Sequence, residues 1–110
     1  MEISIRKTDE ACVLDFSGNL DTNTSIDAEK SINSLMEEGA DRILFNFADL
    51  NFITSSGLRV LLSTAKKLKA SGGKMKICGL NQTVQEVFDI SGFGSILSLA
   101  ANEEEALAAF

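Results

Sequence analysis

Apolar positions along the chain alternate between two spacings, and the switches mark the elements. Residues 2–7, EISIRK, place Ile3 and Ile5 on one side and polar side chains on the other, the period of a half-buried strand. Residues 11–17, ACVLDFS, are more densely apolar and are followed by Gly18, which predicts a second strand. The two are close enough to pair as a hairpin around Asp9–Glu10. The period then changes. The stretch 21–27, DTNTSID, is rich in helix-capping residues, and Ala28, Ile32, Leu35 and Met36 recur at helical spacing until Gly39. Residues 42–47, RILFNF, form a compact apolar run suited to a buried strand, with a short loop expected after it. Leu58, Leu61, Leu62, Ala65 and Leu68 mark the inner face of a second helix, which Gly72 and Gly73 end. Residues 74–79, KMKICG, predict another strand, and 83–90 a third helix with Val84, Val87 and Phe88 inward. A weak strand is expected near 95–99. The last helix has Asn102 as its cap and Glu103, Glu104 and Glu105 in its first turn, where the helix dipole favours anions.

The predicted order is ββαβαβαβα. A helix lies in each later connection, so the later strands are expected to be parallel. The expectation is an α/β layer fold with a mixed, mostly parallel sheet of about four or five strands. No repeat or linker divides the chain, which predicts one domain over residues 1–110.

Composition narrows the function classes. The chain of 110 residues is 45% hydrophobic and 24% charged, within the range of an ordinary globular domain. Its net charge of −6 argues against general nucleic-acid binding, which needs a basic footprint. There is no histidine, so the commonest general base and metal ligand is missing. Cys12 and Cys78 each lie within an apolar run and are expected to be free, buried thiols rather than a disulfide or zinc site. No metal or cofactor is expected. The first ten residues, MEISIRKTDE, are too polar for a secretory leader, and no apolar run approaches the roughly 20 residues that span a bilayer. A cytoplasmic protein without membrane contact is expected.

The candidate chemistry centres on 52-FITSSGLRVLL-62. Thr54, Ser55 and Ser56 lie between a strand and a helix, where the first helical N–H groups lack partners. A hydroxyl there is expected to cap the helix. The same end of a helix suits an anion, so it could also tolerate a phosphate, and Gly57 permits close backbone approach. Ser55 has no histidine to activate it, and Ile53 stands where G-x-S-x-G requires its first glycine, which argues against a nucleophile. Asp21 and Asp49 are placed just beyond strand ends. Their commoner role is a cap or turn; their sharper one is to line the same end of the sheet as Ser55. Between Gly57 and Gln85 there is no acid, whereas Arg59, Lys66, Lys67, Lys69, Lys74 and Lys76 all fall there. The lysines at 66–69 suit a helix C-terminus. Arg59 opposes the dipole in the first turn and is either solvated surface or a partner contact. The fragment 91-SGFGS-95 reads as a turn, since it lacks the spacing of a nucleotide loop.

Four segments carry a resemblance: 18-GNLD-21, 46-NFADLNFITSSGL-58, 72-GGKMKICG-79 and 87-VFDISGFGSIL-97. Together they resemble the STAS domain, and more narrowly the bacterial anti-sigma-factor antagonists, nearly from end to end. The resemblance implies a non-enzymatic switch. Its unphosphorylated form would bind an anti-sigma factor that is itself a serine kinase, so freeing the sigma factor. The kinase would phosphorylate Ser55, with Ser56 and Thr54 as alternative acceptors, and a PP2C-type phosphatase would reset it. Asp21 matches the family's acid in G-x-L-D near the phosphorylated serine. The partner surface would comprise Asp21, Asp49, Thr54, Ser56, Gly57 and Arg59 around that serine, on a monomer or weak homodimer. The family commonly has Asp immediately before the serine pair, where this chain has Thr54. Two rival expectations remain: a non-switching STAS scaffold within a signalling or transport complex, and a nucleotide-binding domain using Asp21, Asp49 and the helix N-terminus.

Overall fold

The hairpin forms where the alternation places it. Strand β1 (Glu2–Lys7) runs antiparallel to β2 (Cys12–Leu20), with Ile3 opposite Phe16 and Ile5 opposite Leu14. Then follow α1 (Thr22–Glu37), β3 (Arg42–Ile53), α2 (Ser55–Ala70), β4 (Lys74–Cys78) and α3 (Gln82–Ser91). A 3-10 turn at Phe93–Ser95 leads to β5 (Leu99–Ala100) and α4 (Glu103–Ala108). This computed structural model describes residues 1–110. The five strands lie side by side in chain order, β1-β2-β3-β4-β5, and every pair after the first is parallel. The fold is thus the expected α/β arrangement with a mixed sheet.

The two faces of the sheet are unequal. Leu14, Phe16, Ile43, Phe45, Phe47 and Ile77 join Ile32 of α1, Leu61 of α2 and Phe88 of α3 in a core of 19 buried residues. Phe16 sits at its centre, with ring centroids 5.8 Å from Phe45 and 5.2 Å from Phe47. On the alternating positions of the strands, Val13, Leu44 and Cys78 form a separate cluster of four with Ala106 of α4. Cys12 is half-buried and Cys78 fully buried, and both are free thiols. No helix is long and apolar enough to cross a membrane.

Two expectations about strand length are corrected. β3 does not end at residue 47 but runs on to Ile53, 12 residues in all. Its buried positions near the end are Phe47, Leu50 and Ile53, three apart rather than two. The cause is a pair of register shifts: Asp15 and Ser17 pair with Asn46 and Asp49, and Gly18 and Asn19 pair with Leu50 and Phe52. Each inserts one extra residue in β3, a bulge that resets which side chains face inward. A run that reads as loop in sequence is therefore strand. Asp49 consequently lies inside β3 opposite Ser17, not beyond a strand end. At the other end of the chain, β5 is only Leu99–Ala100, because residues 93–95 are taken up by the 3-10 turn.

Candidate functional site at the start of the second helix

The ends of β2 and β3 are aligned. Leu20 pairs with Ile53, and the Thr54 N–H donates to the Leu20 carbonyl at 3.0 Å. The residues that follow, Asp21 and Thr54, begin α1 and α2 side by side. Gly57 lets α2 settle onto this junction. A Cβ there would lie 2.7 Å from Cγ1 of Ile53 and 2.9 Å from the Leu20 carbonyl oxygen, closer than side-chain atoms tolerate. The third helix is tied to the same end. The Asn81 side chain accepts from the Val84 N–H at 2.8 Å and donates to the Leu50 carbonyl at 2.9 Å.

Asp21 is a fully engaged cap. Its Oδ1 accepts from the N–H groups of Asn23 and Thr24, each at 3.0 Å, while Thr24 Oγ1 accepts from the Asp21 N–H at 2.9 Å. These bonds, the Thr24 N–H first among them, favour the ionised carboxylate and hold its pKa below the usual value. Of the two roles foreseen for Asp21, the cap is what the geometry displays.

Thr54 departs from expectation. Its backbone is extended, as at any N-cap, yet its side chain caps nothing. Oγ1 is buried and has no hydrogen-bond partner. A β-branched side chain has few χ1 choices, and in the one adopted the hydroxyl bonds to none of the helix N–H groups. Ser55 and Ser56 already belong to the first turn. The helix α2 is therefore without a side-chain cap, whereas Asp21, Asn81 and Asn102 cap the other three α-helices.

The serines differ in turn. Ser56 Oγ lies 3.2 Å from Oγ1 of Thr22, a bond between the first turns of α2 and α1. Ser55 is exposed and makes no side-chain hydrogen bond. Thr22 was not singled out by sequence reasoning; it lies 34 positions from Ser56, and only the strand alignment brings the two together. Arg59 is exposed and unpaired, since both salt bridges of the molecule involve Arg6. It lines a groove of about 410 Å³ between α1 and α2, with Thr22, Glu29 and Ser56, and beside it Ile26 is 62% exposed. Asp49 is exposed four residues before the end of β3, on the order of 10 Å down the strand, and is not gathered into this cluster. A groove of similar size at the far end of the same helix pair, bridged by Lys67 and Asn33, holds none of these hydroxyls. The chemistry on offer at the α2 start is uncapped N–H groups, free hydroxyl and one guanidinium, an environment that accommodates an anion.

Comparison with known proteins agrees with this architecture. The profile described as the STAS domain matches residues 2–106. BtrV of Bordetella bronchiseptica, described as a candidate anti-sigma factor antagonist, is 34% identical over the whole chain and 95% of its own length. The phosphorylated form of the Bacillus cell fate determinant SpoIIAA is 29% identical, with a TM-score of 0.74 and 98% of both chains covered. A candidate anti-sigma factor antagonist of Thermotoga maritima is 19% identical with a TM-score of 0.92, covering 97% of this chain and 92% of that one, and so shares the fold.

Proposed function

Because the chain belongs to the STAS domain family, we propose that it is an anti-sigma-factor antagonist whose binding is controlled by phosphate on Ser55. In the unphosphorylated state it holds an anti-sigma factor with serine-kinase activity. Phosphorylation by that kinase releases the partner, and a PP2C-type phosphatase restores binding. The domain performs no catalysis of its own; it receives the chemistry.

One observation carries the choice of residue. Of three adjacent hydroxyls, Thr54 is buried at Oγ1, Ser56 is bonded to Thr22, and Ser55 alone is exposed and free. A kinase needs an accessible hydroxyl, and Ser55 provides it. The uncapped N–H groups of α2 and the positive end of its dipole tolerate the product phosphate, so the fold survives modification. The effect on a partner is opposite. About two added negative charges on the exposed surface bring repulsion, bulk and a desolvation cost to any interface built there. Arg59 and Ile26, flanking the groove, supply that interface with one cation and one apolar contact. Asp21 acts by fixing the start of α1 beside the serine rather than by touching the phosphate.

The test is incubation with ATP and candidate cognate kinases, followed by mass spectrometry. Phosphate is expected on Ser55 and absent from the Ser55→Ala protein. Phosphate on Ser56 or Thr54 with Ser55 unmodified would overturn the assignment. A stable large homo-assembly that ignores the kinase would favour the scaffold reading instead.

A further inference from the structure

The C-terminal helix α4 is attached to the molecule by few contacts. It has six residues and one buried side chain, Ala106. A helix so short has no stability of its own in water. Ala106 rests on Val13, Leu44 and Cys78, apart from the main core of 19 residues. The strand that delivers α4, β5, is two residues long. Leu107 and Phe110 pack, partly buried, against the same small cluster, and two side-chain ties complete the attachment. Glu103 accepts from the Arg6 guanidinium, and the Phe110 ring lies 5.7 Å from Nζ of Lys76. Beneath the helix, a polar row crosses four strands without it. Arg6 donates to Asp15 at 2.5 and 2.9 Å, Asn46 Nδ2 donates to Asp15 at 2.8 Å, and Cys78 Sγ lies 3.8 Å from Oδ1 of Asn46.

We propose that α4 is a strap that opens as a unit on an otherwise folded sheet, uncovering the Cys78 thiol together with Val13 and Leu44. The polar row and the main core are intact in both states, because neither uses a side chain of α4 beyond Glu103. In the closed state Cys78 is fully buried, and burial pushes its pKa up to about 11, so the thiol is inert. Opening returns it to water and removes Glu103 from its surroundings, leaving Asp15, which Arg6 still neutralises. A group attached to the open thiol then occupies the seat of Ala106 and holds α4 away. The strap therefore converts a brief local opening into a lasting exposure of the second sheet face. This device lies on the face opposite α2 and is independent of the reading of Ser55.

Thiol labelling tests it. In Cys12→Ser protein Cys78 is the only thiol. An aromatic disulfide reagent is attacked by its thiolate, forming a mixed disulfide and expelling one coloured thiolate per event. Labelling is expected at a rate that depends only weakly on urea well below the unfolding midpoint, the mark of a sub-global opening. Glu103→Gln is expected to raise that rate about two- to fivefold, as loss of a partly exposed ion pair implies, with the same shallow urea dependence. Ile32→Val, in the main core, lowers the folded-to-unfolded ratio about fivefold yet should leave labelling without urea unchanged. Acceleration by Ile32→Val in proportion to its global effect, or a urea dependence as steep as global unfolding throughout, would overturn the strap.

Discussion

At Thr54, Ser55 and Ser56 one functional group meets three environments, and the differences are large enough to measure. The Thr54 hydroxyl is buried without a partner while the N–H groups at the start of α2 have no side-chain cap. Thr54→Asp replaces that hydroxyl by a charge that accepts from those N–H groups. We expect it to stabilise the fold by about 1 kcal/mol, read from the urea midpoint. Gly57 argues the other way. Its Cβ would meet the Leu20 carbonyl oxygen, which is backbone and cannot swing aside. Gly57→Ala is expected to destabilise by roughly 1–3 kcal/mol in the same measurement. Sequence reasoning located this cluster because strand–turn–helix junctions leave N–H groups unpaired wherever they occur. It could not say which hydroxyl would be free, because propensity names the residues able to cap and not the rotamer that packing selects. Nor could it see Thr22, whose bond to Ser56 depends on the register of two distant strands.

The helices were the most legible elements, since each carries its own punctuation. Asn102 caps where the pattern placed it, Asn81 caps α3 without having been foreseen, and Gly72 and Gly92 adopt the positive φ that ends a helix. The last third of β3 was illegible for a physical reason. Its bulges are set by pairing with β2, and they break the period-2 alternation on which strand reading relies. At α1 the cap makes a pH prediction. The Thr24 N–H and its neighbours depress the Asp21 pKa, and the Arg6 guanidinium, chiefly through its hydrogen bonds, does the same for Asp15. A carboxyl depressed in the folded state contributes stability above its unfolded value, about 4, and loses it as pH falls through the folded value. Asp21→Asn keeps an oxygen for the cap but cannot titrate. Urea midpoints are therefore expected to fall less between pH 6 and pH 3 in Asp21→Asn than in the unsubstituted protein, while Asp15 sustains the remaining fall.

For the molecule as a whole, the phosphate proposed for Ser55 would take the net charge from −6 to about −8, and we expect no element to move. Far-ultraviolet circular dichroism of the phosphorylated protein is expected to match that of the unmodified one, while binding to the kinase partner is lost. A changed spectrum would mean that the switch refolds the domain. The order of the sheet has a consequence of another kind. Its strands lie in space in the order in which they occur in the chain, from β1 to β5. No strand must be inserted between two that precede it, and every strand after β1 finds a partner already made. Each new strand adds to the edge that its predecessor has just formed. The fold can therefore be laid down in the direction of synthesis, as the chain leaves the ribosome, with β5 and α4 closing it last.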